Sequence, residues 1–358
     1  MATFSTDFLV RKISFPLYKD DGEPIFRLVE KQKEAQKLLN WKITSQVYGE
    51  IENHCLCANE NESDDIVLAE KDLIGISVKN ILCGKCGLIR SDKVFDTKSM
   101  AQFYGNEYNI LYYGSAQPNE KFFQSQVERG NGFYELIRVI GLLDDIENVF
   151  EIGCNMGGNM FPFFLNKKTV SGCDYAKEYV EFGKAKGLNL YAGEVDDIRT
   201  PDGSQDLVIL SHVMEHFADP IGYICSITRK IKPGKYLLIE VPGVFADNPY
   251  PYYPIWHLQK AHVFNFFYKE YLDVFFSSFG YEILYGDERC TFVLKKRIDQ
   301  HSGRPTSIYD RRLEGYPARI ENHFKERYLR LDYFRFLNKV RVKKRIRNVF
   351  TSLGLLKD

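Results

Sequence analysis

The sequence predicts an α/β protein: a doubly wound parallel sheet of seven strands, closed by an antiparallel hairpin and preceded by a small metal-held module. Three observations predict it. From about residue 145, short apolar runs alternate with helix-period segments. The first run ends in a glycine-rich turn, Glu151–Asn159. Ahead of it, Cys55, Cys57, Cys83 and Cys86 are bunched together.

The strands are read in order at Val149–Ile152, Thr169–Cys173, Asn189–Ala192, Leu207–Leu210, Tyr236–Val241, Tyr281–Tyr285 and Thr291–Lys295. Helical patterns fall at Tyr175–Lys186 and Tyr268–Phe279, and Asp219-Pro220 opens another helix. The link Gly286–Arg289 is too short for a crossover, so the last two strands form the hairpin. Five regions result: an N-terminal extension 1–50 with a helical stretch near Leu28–Leu39, a zinc-binding module 51–100, a helical linker 101–145, a nucleotide-type domain 146–296 and a basic helical tail 297–358.

Cys83-Gly84-Lys85-Cys86-Gly87 is a C-x-x-C followed by glycine, a spacing that lets two thiolates converge on one ion. The partner pair lies in His54-Cys55-Leu56-Cys57, where either Cys55 with Cys57 or His54 with Cys57 supplies the ligands. Four protein ligands close a tetrahedral zinc site, so its role is structural. A redox dithiol is the alternative. The remaining cysteines, Cys154, Cys173, Cys225 and Cys290, are scattered singly, which does not suit a disulfide framework and points to a reducing, cytoplasmic setting. No apolar run is long enough for a membrane span, and Met1–Lys12 does not read as a signal peptide.

The turn Glu151-Ile152-Gly153-Cys154-Asn155-Met156-Gly157-Gly158-Asn159 lets backbone approach a ligand at the strand's carboxyl end. Gly153, Asn155 and Gly158 fit a dinucleotide fingerprint with one glycine lost. Glu151, Gly153 and Gly157 fit an S-adenosylmethionine loop equally well. Asp174, ending the second strand, suits ribose hydroxyls in either case.

Later segments separate the two. Asp206–Leu210 runs into Ser211-His212-Val213-Met214-Glu215-His216-Phe217 and then Asp219-Pro220. Here the chain resembles the class I S-adenosylmethionine-dependent methyltransferases, over roughly residues 145–295. The resemblance implies a Rossmann-like seven-stranded sheet and S-adenosyl-L-methionine as cofactor. It implies that Glu151, Gly153, Asn155 and Gly157 wrap the methionine end, that Asp174 holds the ribose and that Glu194 reaches the adenine, with Asp196 as a substitute. Val195, Ser211 and His212 complete the implied contacts. With Cys83–Ile89 leading into Phe103–Tyr112, the order also resembles bacterial zinc-ribbon methyltransferases, including sugar C-methyltransferases. That implies a saccharide or other small-molecule acceptor and a structural Zn2+.

Methyl transfer from a sulfonium is an in-line displacement, so the protein mainly aligns donor and acceptor. An acidic acceptor hydrogen requires a base, and histidine suits the task. His216, just past the fourth strand, is the first candidate; the resemblance implies the same role for it. His262 resembles a histidine of the zinc-ribbon enzymes. The opposite reading is that both simply pack. Around Pro249, Pro251 and Pro254, the aromatics Tyr252 and Trp256 suit the cover of an acceptor pocket, with Tyr104, Tyr108 and Tyr112 as its far wall or as a packed helix face.

The formal charge of zero conceals a division. Residues 301–358 carry fifteen Lys and Arg against six Asp and Glu, a net of +9, which leaves 33 against 42 and a net of −9 elsewhere. An acidic body speaks against nucleic acid as partner of the core. The run Arg341–Arg347, in a segment with the spacing of an amphipathic helix, suits either its own acidic body or an anionic surface, which would place the protein at the inner face of the membrane. The function predicted is methyl transfer to a small molecule or saccharide. The alternatives are a methyltransferase for RNA or another macromolecule, and a non-catalytic NAD-binding module.

Overall fold

The computed structural model describes residues 11–12, 18–59, 62–114, 117–193, 199–248, 253–298 and 304–339. Glu194 and Val195, the prolines Pro249 and Pro251, Tyr252 and the basic run Arg341–Arg347 lie outside the described residues.

The chain begins with β1 (Arg11–Lys12), α1 (Glu30–Thr44) and β2 (Glu50–Glu52). Then come β3 (Ile66–Lys71), β4 (Ser77–Leu82), β5 (Ile89–Ser91) and β6 (Lys93–Phe95). Three helices follow, α2 (Thr97–Asn106), α3 (Tyr108–Tyr113) and α4 (Glu120–Val139). Asp96 and Asn119 cap α2 and α4, each side chain accepting from a backbone N–H of the first turn.

The alternating part holds β7 (Asn148–Ile152), α5 (Phe161–Leu165), β8 (Thr169–Asp174), α6 (Lys177–Ala185), β9 (Asn189–Ala192) and β10 (Gln205–Ser211). It continues through α7 (Pro220–Lys230), β11 (Ile231–Glu240), α8 (Tyr253–Trp256), β12 (Phe264–Phe266) and α9 (Lys269–Ser278). The hairpin β13 (Tyr281–Gly286) and β14 (Thr291–Lys296) ends it, and α10 (Tyr316–Lys339) follows.

The central sheet has the order β13-β14-β11-β10-β7-β8-β9, parallel from β11 to β9 and antiparallel across β14 and β13. Seven strands and a terminal hairpin are as expected from the apolar runs. Every residue of β10 is buried, which is why it reads as a continuous apolar run rather than an alternating one.

A second sheet of five strands, β1-β3-β4-β5-β12, carries the cysteine module, and its last member comes from far down the chain. β12 pairs antiparallel with β5, so a strand that follows β11 of the central sheet completes the cysteine module's sheet. The Asn53 side-chain amide fastens the seam, donating to the Ser91 and Val263 carbonyls at 2.9 and 3.0 Å. The C-terminal part also packs here: the Ile308 N–H donates to the Leu56 carbonyl, and Ile320 is buried in the shared core. No helix among the described residues is long and apolar enough to cross a membrane.

Candidate active site

The carboxyl ends of β7, β8 and β10 face helices α2–α4 across one cavity of about 430 Å³. One end of it is built by the glycine loop. Gly153, Asn155 and Gly157 take positive φ values of 66°, 53° and 76°. Asn155 tolerates this because its short side chain bonds locally, its Oδ1 accepting from the Met156 N–H at 3.0 Å. At Gly153 a Cβ would lie 2.6 Å from Val213, so the position excludes any side chain.

Asp174 ends β8 and ties this loop in place. Its Oδ2 accepts from the Asn155 N–H and its Oδ1 from the Ala176 N–H, both at 2.8 Å. Burial nevertheless holds its carboxyl above the usual range. Each oxygen keeps a lone pair for a ligand in the cavity it lines. Gly193, beside the undescribed Glu194, lines the same end.

Not every residue expected at the cofactor reaches the wall. Glu151 is fully buried under the loop, where its Oε1 accepts from the Asn159 amide at 2.6 Å and burial pushes its carboxyl up to about 8. Gly157 also stays off the wall, packed against Leu188 and Leu190. Both shape the loop from behind. The Arg129 guanidinium, on α4, enters the cavity 3.5 Å from the Glu240 carboxylate. The sequence held no signal for it, because one arginine on an amphipathic helix has no distinctive spacing.

The other end of the cavity gathers histidines. Ser211 and His212 lie at the end of β10, with His212 at φ 55°. His212 Nδ1–H donates to Glu215 Oε1 at 3.1 Å. Burial pushes the His212 imidazole down, but the Glu215 hydrogen bond and the Glu215 and Glu240 charges outweigh it and leave its pKa raised. A turn over Met214–His216 then brings His216 round to Tyr104.

His216 Nδ1 lies 2.5 Å from the Tyr104 hydroxyl and 3.1 Å from the Ala261 carbonyl. A carbonyl only accepts, so Nδ1 carries the hydrogen and Nε2 keeps its lone pair. Burial pushes the pKa of His216 below the ordinary histidine value, and that of His262 well below it. The His216 and His262 rings meet edge to face with centroids 4.8 Å apart. His257, which the sequence did not single out, stacks on His212 at 6.2 Å and is pushed down to about 3 by burial and by its histidine neighbours.

Tyr104, Tyr108 and Trp256 line this end. Tyr112 does not: it is buried away from the cavity, its hydroxyl donating to Asp72 Oδ2 at 3.0 Å. Its place in the helical period, four residues past Tyr108, looked the same as theirs, and only the packing of α3 separates them.

The four sulfurs Cys55, Cys57, Cys83 and Cys86 converge at the base of the second sheet. Neighbouring Sγ atoms are 3.4, 3.5 and 3.6 Å apart. A tetrahedral zinc with Zn–S bonds of about 2.3 Å requires about 3.8 Å, so the set fits that ion closely. Cys55, and not His54, joins the cluster. The Gly84 N–H in the C-x-x-C turn donates to Asp65 Oδ1 at 2.9 Å, and Asp65 pairs with buried Arg90 at 3.0 Å.

Residues 114–285 match the family model described as a methyltransferase domain. A probable S-adenosylmethionine-dependent methyltransferase from Mycolicibacterium smegmatis is 26% identical over 104 residues. That match covers 28% of this chain, and the chain spans only 40% of that relative's length. Among solved structures, a SAM-dependent methyltransferase from Archaeoglobus fulgidus is 21% identical, covering 49% of this chain and 73% of that one at a TM-score of 0.36. Another from Aquifex aeolicus is 18% identical, covering 46% and 88% at a TM-score of 0.36. Over residues 114–285, then, the chain matches a methyltransferase domain, and the glycine loop and the seven-stranded sheet lie within or beside that segment.

Proposed function

We propose that the protein transfers the S-adenosylmethionine methyl group to a small molecule or saccharide, with structural zinc on Cys55, Cys57, Cys83 and Cys86. One observation carries this: a single cavity joins the Gly153–Asn155–Asp174 end to the Tyr104–His216–His262 end. A donor held at the first end faces an acceptor held at the second, which is the alignment an in-line displacement needs.

In this reading Asp174 takes the ribose hydroxyls and Glu194 with Val195 takes the adenine. The loop holds the methionine end, and Arg129 pairs with its carboxylate. Ser211 and His212 stand beside the reacting centre. Tyr104, Tyr108 and Trp256, with Tyr252, present aromatic faces to the acceptor. His216 Nε2 removes the acceptor proton, and His262 packs against it. The bond to methyl forms as the C–S bond breaks, and S-adenosylhomocysteine leaves. The closed four-sulfur site takes no part in that step, because its ligands fill the coordination sphere.

The test is a screen of nucleotide sugars and free saccharides with methyl-labelled S-adenosylmethionine, alongside calorimetry with that cofactor and with NAD. Label transfer to a saccharide is the expected result. Binding of NAD with none of S-adenosylmethionine would overturn the reading.

A further inference from the structure

Three buried side-chain atoms on residues lining this end of the cavity have no hydrogen bond: Glu215 Oε2, His262 Nδ1 and Gln259 Oε1. Glu215 is 1% exposed, and its Oε2 has no hydrogen bond although Oε1 is held by His212. His262 is 4% exposed, and its Nδ1 has none either. An unsatisfied buried polar atom costs about 1–3 kcal/mol, so the unpaired atoms of Glu215 and His262, two side chains of one cluster, call for a partner. His216 supplies the third group, its Nδ1–H anchored on the Ala261 carbonyl. One ligand atom from each of Glu215, His216 and His262 lies within 4.8 Å of the other two.

We propose that Glu215, His216 and His262 bind a divalent first-row transition-metal ion in the acceptor half of the cavity, separate from the four-cysteine centre. Two imidazoles and one carboxylate suit zinc, iron(II) or manganese(II) and not a thiolate-seeking ion. Ligand bonds of about 2.1 Å require about 3.0–3.5 Å between donor atoms, so a pair at the 4.8 Å limit closes by about 1.3–1.8 Å on binding. The outer contacts that such a site needs are present. His216 is oriented through its far nitrogen by a backbone carbonyl, and Glu215 is held through its second oxygen by His212.

Three protein ligands leave coordination positions open towards the cavity. An acceptor hydroxyl bound there has its pKa lowered and releases its proton to water. The resulting alkoxide attacks the sulfonium methyl, forming the O–C bond as the C–S bond breaks and its electron pair stays on sulfur. With the ion bound, His216 is a ligand through Nε2, so the base role proposed for it above belongs to the metal-free protein, and its loss is expected to lower turnover in either state. This last step rests on the methyltransferase reading; the ligand set does not.

Purified full-length protein, with its zinc retained, is titrated with Co2+ and followed by visible and X-ray absorption. We expect one equivalent bound by nitrogen and oxygen alone, without thiolate charge-transfer bands. Glu215→Gln and His262→Gln should each weaken it at least 100-fold while S-adenosylmethionine binding, read by calorimetry, is unchanged. Cobalt found only with sulfur ligands, or no cobalt bound by the wild type, would overturn the site, and so would undiminished binding in both variants. The wild-type spectrum decides the matter even if a variant fails to fold. Failure of the wild type to bind S-adenosylmethionine would instead sink the methyltransferase reading and leave the metal site standing.

Discussion

Asp174 holds the glycine loop and, in the proposed function, takes the ribose, and its removal should expose both. Its carboxylate accepts from Asn155 and Ala176, and thereby holds a positive-φ loop against the cavity. Asp174→Ala should weaken S-adenosylmethionine about 10- to 100-fold in calorimetry, the range set by losing hydrogen bonds to a charged group. His216→Ala should leave that affinity unchanged and lower turnover on the order of 100- to 10,000-fold, the usual span for a lost proton-transfer group. Near-normal turnover would remove His216 from the reaction. Glu151 makes a prediction about pH. Its folded carboxyl titrates at about 8 against an ordinary value of 4.5, so the native state keeps a proton that the unfolded chain has lost. This group's contribution is therefore fully present below pH 4.5, declines as pH rises towards 8, and is flat above. Glu151→Gln keeps the acceptor for Asn159 and removes that slope. In urea melts, the variant should gain on the wild type steadily between pH 5 and pH 8, and a constant difference would refute the assignment.

Among the elements, α4 sets how the loop is covered. Phe123, Gln126, Gly130, Phe133 and Ile137 form its buried face at three- and four-residue spacing. Gly130 lets that face touch the loop's backbone: a Cβ there would sit 2.4 Å from the Asn159 carbonyl oxygen. Gly158 meets the same helix from the other side, where a Cβ would lie 2.5 Å from that of Gln126. Gly130→Ala should destabilise the fold by about 1–3 kcal/mol, seen as a lower melting temperature, because backbone has to move. A variant that melts like the wild type would mean the helix and loop part easily. The strands of the central sheet were legible because their apolar runs are bounded by turns and because β10 is buried on both faces. β12 was not legible. Its three residues have no period to read, and its partner β5 lies some 170 residues earlier, as in the Ser91–His262 contact.

At the scale of the whole molecule, that pairing links the cysteine centre to the acceptor end. The Ser91 hydroxyl, on β5, donates to the His262 carbonyl at 2.7 Å, and the Val263 N–H donates to the Glu215 carbonyl at 2.8 Å. The Tyr268 hydroxyl donates to the carbonyl of Cys86, so α9 is anchored on the C-x-x-C turn as well. Metal removal by a chelator, or Cys83→Ser, should therefore lower thermal stability and turnover together, because ligand binding and folding of such a module are coupled. Unaltered melting after complete metal loss would show the four sulfurs to be idle. The sequence by itself determined the central sheet, its hairpin, the glycine loop with Asp174, and a cluster of Cys57, Cys83 and Cys86 with either Cys55 or His54. These follow from local periodicity and spacing, which a chain carries without knowledge of its neighbours. Tertiary structure decided that Cys55 rather than His54 joins the sulfurs, that Tyr112 and Glu151 turn away from the cavity, and that Arg129 and His257 enter it. It also brought His216, His262 and Glu215 to one point. Such choices depend on which face of each element is covered when distant segments pack, and no spacing along the chain encodes that.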